Sequence, residues 1–363
     1  MSKSVFPYQR VRSVVLETIG RGEWAVGSQI PPEVKLAEEL GVHRLTVNRV
    51  LTELAREGML ARRRGAGTTV LKRRPSTPKS GLLTAGVSLI GLITGNSFDP
   101  SSNPYFGKIF ERMRKRLRPH GIYFVSLGDA EEFFGSGLPA PVGEVAAVAM
   151  LGIPEDLKHL RSLEALGIPA IVIGMSEYAG PLAHVSTPDY EDAVRVAKRL
   201  LEFGHQQIVH VNAIPPMRLQ SRLHGFLHAC EQEGHAIPFR YIVEAKGLEI
   251  RHGREAMMEF LDRGLPFTAV FGASDNLALG AMAALAERGV AVPGDASVVG
   301  FDGVEAAIHS VPALTTMRVA RGKLGERAAD CLMALCKGGD LPEFESPLPA
   351  RWIEGKTLGR RSR

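Results

Sequence analysis

Cysteine is nearly absent from this sequence: Cys230, Cys331 and Cys336 are the three in 363 residues. They form no CxxC pair and no Cys/His ligand spacing, which argues against a zinc module or a disulfide framework and leaves buried thiols as the expectation. Long apolar runs are missing too. The most apolar window, Leu82 to Gly95, has 14 residues interrupted by Thr and Ser, short of the ~20 that span a bilayer. The amino-terminal MSKSVFPYQRVR has no secretory apolar stretch, so the cytoplasm is the expected location. No GxGxxG follows a strand, and GxxxxGK[ST], HExxH and GxSxG are not found. The expectation is therefore a protein that is not an enzyme and takes no cofactor or metal.

What is present is a large globular chain with 45% hydrophobic and 23% charged residues, long enough for two or three domains. Its net charge of +5 is unevenly placed. Residues 1–74 hold 14 Lys and Arg against 7 Asp and Glu, a net +7, whereas the rest hold 30 against 32, a net −2. A small basic module on a near-neutral body is the electrostatic footprint of a nucleic-acid binder, because each neutralised phosphate releases condensed counterions.

That module has helical spacing. Val11, Val14, Val15 and Ile19 make one amphipathic stripe; Leu36, Ala37 and Leu40 make a second, broken at Gly41; Val47, Val50, Leu51 and Leu54 make a third that ends at Gly58. Two short strands, Met59–Arg62 and Thr68–Leu71, then flank a basic glycine-rich turn, the pattern of a wing. Residues 71–84 carry prolines, Ser, Thr and basic residues without apolar periodicity, the composition of a linker. Beyond them, Val/Ile-rich runs at 87–93, 122–127, 145–151, 169–173, 207–212, 267–272 and 297–301 alternate with helical stretches. Such alternation predicts parallel sheets in two α/β lobes, with a ligand cleft between them. The expected division is 1–72 for a winged helix-turn-helix head, 73–84 for a linker and 85–363 for a two-lobed domain.

The run IPPEVKLAEELGVHRLTVNRVLTELAREGMLARRRGAGTTV, residues 30–70, resembles the winged-helix DNA-binding domain of the GntR family. Pro32 stands where that family usually places a capping Ser, and His43 where it has Ser or Thr. The resemblance puts the first turns of the helix from Arg44 in a major groove. Arg can bond bidentately to guanine and Asn to adenine, so Arg44 and Asn48 are candidate base readers, with Thr46 able to reach a phosphate or thymine methyl. His43 is a candidate contact or a helix cap, and Arg49 lies on the outward face. Arg62, Arg63, Arg64 and Gly65 suit a wing laid on phosphates or in a minor groove.

Residues from about 85 to 355 resemble the LacI/GalR sensor domain, which is related to periplasmic binding proteins of type I. The landmarks are NPYF at 103–106, GIPAIVIG at 167–174, GHQQI at 204–208, RLHGF at 222–226, the run FGASDNLALGAMAALAERGVAVPGDASVVGFDG at 271–303 and PALTT at 312–316. Head and sensor together are similar to regulators of the arabinose-repressor type. The resemblance implies a homodimer on a palindromic double-stranded operator, controlled by a small polar effector, a carbohydrate first of all.

Candidate effector residues come from the matched motifs. Tyr105 and Phe106 can stack on a sugar face or belong to the core. Arg222 offers a forked donor or a structural ion pair. Asp302 follows a strand's carboxyl end, Asp275 is a cleft residue or helix cap, and Ser274 and Asp189 are further candidates. One departure stands out: only 17 residues, 128–144, separate two strands where the family usually fits a full helix.

Overall fold

The structure is a computed structural model that describes residues 11, 14–16, 18–19, 23–56, 58–63, 67–71, 87–95, 103–135, 145–152, 158–165, 167–174, 182–213, 217–342 and 347–361. The expected linker 73–84 and the wing residues Arg64 and Gly65 lie outside the described residues.

In the amino-terminal module, β1 (Gln29–Ile30), β3 (Gly67–Val70) and β2 (Leu60–Arg63) make an antiparallel sheet beside α1 (Glu33–Leu40) and α2 (Arg44–Arg56). Apolar spacing decides which faces meet. Val47, Val50, Leu51 and Leu54 of α2 are wholly buried with Leu36, Val11, Val15 and Ile19. Gly41 closes α1 in the left-handed region, with its N–H on the α1 carbonyls, a geometry that a Cβ would strain. Pro32 leads into α1 without a side-chain cap, as its replacement of the family's Ser implies.

The larger part has two sheets. Lobe one orders its five parallel strands as β5 (Ile122–Asp129), β4 (Ser88–Thr94), β6 (Ala147–Leu151), β7 (Ala170–Ile173) and β8 (Ala183–Val185). Lobe two orders β10 (Ile242–Ala245), β9 (Ile208–Ala213), β11 (Ala269–Gly272), β12 (Ser297–Asp302), β13 (Thr315–Arg318) and an antiparallel edge, β14 (Arg351–Ile353). Every residue of β6, β7, β9, β11 and β12 is buried, as central strands covered on both faces require. In lobe two the connections reverse direction between β9 and β11, the place where α/β sheets form a ligand crevice at the strands' carboxyl ends.

Two helices pack together on lobe one. In lobe one α3 (Phe106–Leu117) packs against α11 (Arg321–Lys337), the helix the chain enters directly after β13 of lobe two. Their approach depends on Gly325, where a Cβ would stand 2.5 Å from the Ile109 carbonyl oxygen. A short helix, α4 (Ala130–Gly135), occupies part of the compressed 128–144 segment. Cys230 and Cys331 are buried as expected, but Cys336 is only half-buried.

Candidate DNA-reading face and effector pocket

The first turns of α2 carry the candidate readers in a network that sequence reasoning missed. Glu33, in the first turn of α1, accepts from Asn48 Nδ2 at 2.9 Å and lies 3.5 Å from Arg44 Nε. It also pairs with Arg62 from the wing, and Arg62 donates in turn to Thr52. One carboxylate, 15% exposed at its side chain, thus gathers three candidate DNA contacts onto one face. His43 acts as a cap: its Nδ1 accepts from the Leu45 N–H at 3.2 Å. Thr46 is half-buried, whereas Arg44, Arg49 and Leu45 are exposed, Leu45 to 71%. Arg63 closes strand β2.

The effector candidates converge at the lobe-two crevice. Arg222, on α7 (Met217–Gln232), has no exposed surface. Its Nη2 stands 2.8 Å from Asp189 Oδ1 and 3.0 Å from Asp302 Oδ1, its Nη1 donates to the Ala273 carbonyl at 2.6 Å, and its guanidinium lies 3.8 Å from the Phe301 ring centre. Burial works against its charge, yet those two carboxylates, with Tyr105 nearby, raise its already high pKa further. Asp302 adopts φ 115°, a conformation that costs a non-glycine residue about 1–3 kcal/mol and collects at functional sites.

The neighbouring acid is different. Asp275 Oδ2 accepts from the Val304 N–H at 2.7 Å and Oδ1 from Thr316 Oγ1 at 2.5 Å. Burial, followed by the like charge of Asp302, pushes its carboxyl well above the usual carboxylate range. The cap of α9 (Asp275–Glu287) is Ser274, whose hydroxyl accepts from the Leu277 N–H at 3.4 Å. Tyr105 is buried edge-on to Phe106, ring centres 4.9 Å apart. Phe106 faces Gly174 at the end of β7, where a Cβ would come within 3.2 Å of the ring.

Arg222, Asp302, Asp275 and Tyr105 therefore sit together, Ser274 serves the helix beside them, and Phe106 belongs to the lobe-one wall. Asn212 on β9 is a residue that sequence reasoning passed over. It is wholly buried, with both amide atoms unpaired, near the carboxyl end of its strand. The signal available was an Asn inside an otherwise apolar strand, IVHVNA. His205 and His210 are spent structurally. His205 bonds Thr268 Oγ1 at 3.2 Å and the Gly359 carbonyl at 2.9 Å, while His210 is wholly buried between the rings of Phe226 and Phe271.

Residues 7–70 match the model of bacterial regulatory proteins of the gntR family, and residues 197–358 that of a periplasmic binding protein-like domain. The chain is 28% identical to the arabinose metabolism transcriptional repressor of Halalkalibacterium halodurans over 92% of its own length and 89% of the relative's. It is 29% identical to the HTH-type transcriptional regulator AglR of Rhizobium meliloti over 86% of its length and 90% of that protein. Among solved structures, a LacI family regulator from Enterococcus faecium with bound ribose superposes with a TM-score of 0.65 at 23% identity, covering 76% of this chain and all of that one. At that identity the likeness is one of fold. Both sequence relatives are named as transcriptional regulators rather than enzymes. Among the described residues no helix is long and apolar enough to cross a membrane.

Proposed function

We propose that this chain, a DNA-binding transcriptional regulator that joins a GntR-type head to a periplasmic-binding-protein-like sensor, is a repressor released or retained on a palindromic operator by a small sugar. The division behind this reading is 1–72 for the head, 73–84 for the linker and 85–363 for the sensor, which also pairs the chain into a homodimer in the cytoplasm. The observation that carries it is the polar face of α2. Arg44 and Asn48 share that face with Arg62 of the wing, all three held to Glu33. Arg and Asn are the side chains that read guanine and adenine edges bidentately. Arg49, Arg62, Arg63, Arg64 and the Gly65 turn supply phosphate contacts.

The effector half rests on the Arg222, Asp189 and Asp302 triad. A forked donor between two carboxylates can exchange one of those partners for ligand hydroxyls, and Asp302 can accept from two of them. Tyr105 and Phe106 offer ring faces to a sugar's apolar side. A pentose is the first choice, because one relative is named for arabinose metabolism and a structural neighbour holds ribose. A sugar held between Asp302 of lobe two and the rings of lobe one would close the lobes and so reposition the paired heads.

A melting-temperature screen of the full chain against pentoses, hexoses and their acids tests the effector half. A ligand at 100 times its dissociation constant stabilises by about 2.7 kcal/mol. A stabilising pentose whose effect disappears in Asp302→Asn supports the reading. Stabilisation that persists unchanged in that variant places the pocket elsewhere.

A further inference from the structure

A cavity of about 1190 Å³ opens between α3, the loop before it, the segment after β12, the start of α11 and β14. None of the effector candidates lines it. Its lining holds eight Lys and Arg against two Glu. We propose that this cavity binds a small metabolite carrying two or more phosphate or carboxylate groups.

The distribution of charge favours such a guest. Three of the cations have a carboxylate of their own at short or moderate range: Lys108 with Glu111 at 3.0 Å, Arg195 with Asp192 at 2.8 Å and Arg318 with Glu305 at 3.6 Å. Arg112 reaches Glu326 only at 3.9 Å, and its Nε is buried without a hydrogen-bond partner. Among the described residues Arg114, Arg321, Lys323 and Arg351 pair with no carboxylate. Cations gathered in a concave, partly desolvated wall repel one another and raise the local concentration of anions. The space suits a metabolite, not a lone ion.

Arg321 gives the site its connection. It is 7% exposed, and its guanidinium donates to the Pro104 carbonyl of lobe one at 2.6 Å and to the Gly303 carbonyl of lobe two at 2.7 Å. Gly303 follows Asp302 directly. A buried guanidinium bonded to two carbonyls has further N–H donors for an anion. An anion at this wall therefore touches the pin between the lobes, one residue from the effector triad.

Calorimetric titration of the full chain with inorganic pyrophosphate, at fixed ionic strength, tests the site. The expected result is saturable binding, one equivalent per chain, weakened about tenfold or more by the double change Arg318→Glu and Arg351→Glu. Both side chains are exposed, and Arg351→Gln serves as a milder second variant. Arg44→Glu in the head should leave pyrophosphate binding unchanged. Loss of binding in Arg44→Glu, equal binding in the cavity variants, or no saturable binding at about 1 mM pyrophosphate would each overturn the proposal. None of these outcomes depends on a sugar effector or an operator.

Discussion

Arg222 and Asp302 stand 3.0 Å apart, nitrogen to oxygen, with the arginine wholly enclosed and the aspartate held at φ 115°. The pair joins α7 to the end of β12, and Asp189 at the start of α6 (Asp189–Glu202) completes it from a third element. A buried ion pair is weak evidence of net stability, but removing one member strands the rest without solvent.

Arg222→Ala should therefore cost about 3–5 kcal/mol of stability, read as a lower urea midpoint of the sensor. Asp302→Asn keeps the shape, still leaves Asp189 on the arginine, and relieves the like charge beside Asp275. It should cost much less stability than Arg222→Ala while weakening the effector. An unchanged urea midpoint in Arg222→Ala would contradict the buried triad.

Glu33 sets the second expectation. A carboxylate within the proposed DNA-reading face would repel phosphates, and it occupies Arg62, Asn48 and Arg44. Glu33→Gln should tighten binding to random duplex and narrow the gap between operator and random sequence. Anisotropy titrations with both duplexes measure that gap. A variant that weakens binding to both equally would show the glutamate to be a positioning residue only.

Wing and helix should separate by salt and by sequence. Arg62→Ala should lower the log–log salt slope by about 0.9 on any duplex. Arg44→Ala should cost about 1–3 kcal/mol at one base pair per half-site and relax preference there. Uniform weakening by Arg44→Ala would assign it to phosphate.

His210 carries a pH signature. Burial between aromatic rings pulls its pKa from 6.5 down to about 3. Below pH 6.5 the unfolded chain takes up a proton that the folded chain refuses, so this contribution to stability is present above 6.5 and is lost as the pH falls towards 3. His210→Phe should flatten the decline of the urea midpoint across that window. Parallel declines in both proteins would contradict the assignment.

The central strands were legible because strands buried on both faces are continuous Val/Ile runs, as in AIVI of β7 and IVHVNA of β9. The strand TTMR of β13 was not. Its threonines read as polar, yet Thr315 and Thr316 are wholly buried and bonded to Gly355 and Asp275. In RLHGF the arginine signalled a forked donor, but its partner Asp189 lies 33 residues away and only folding brings them together. The glycine of that motif serves packing: a Cβ at Gly225 would meet the Tyr190 carbonyl carbon at 2.9 Å. Glu33 gave no signal in the sequence, since the wing arginine that completes its role is 29 residues downstream. Arg321 gave no signal at all, because its two carbonyl partners come from different lobes.

The most direct test is one titration: the full chain against a labelled duplex from upstream of its own gene, with and without the pentose chosen by melting temperature. Tight, salt-steep binding is expected, dependent on residues 1–72 and changed about tenfold or more by the pentose, a coupling of about 1.4 kcal/mol. Binding that is indifferent to every sugar tested, or that survives deletion of residues 1–72, would contradict a sugar-controlled DNA-binding regulator.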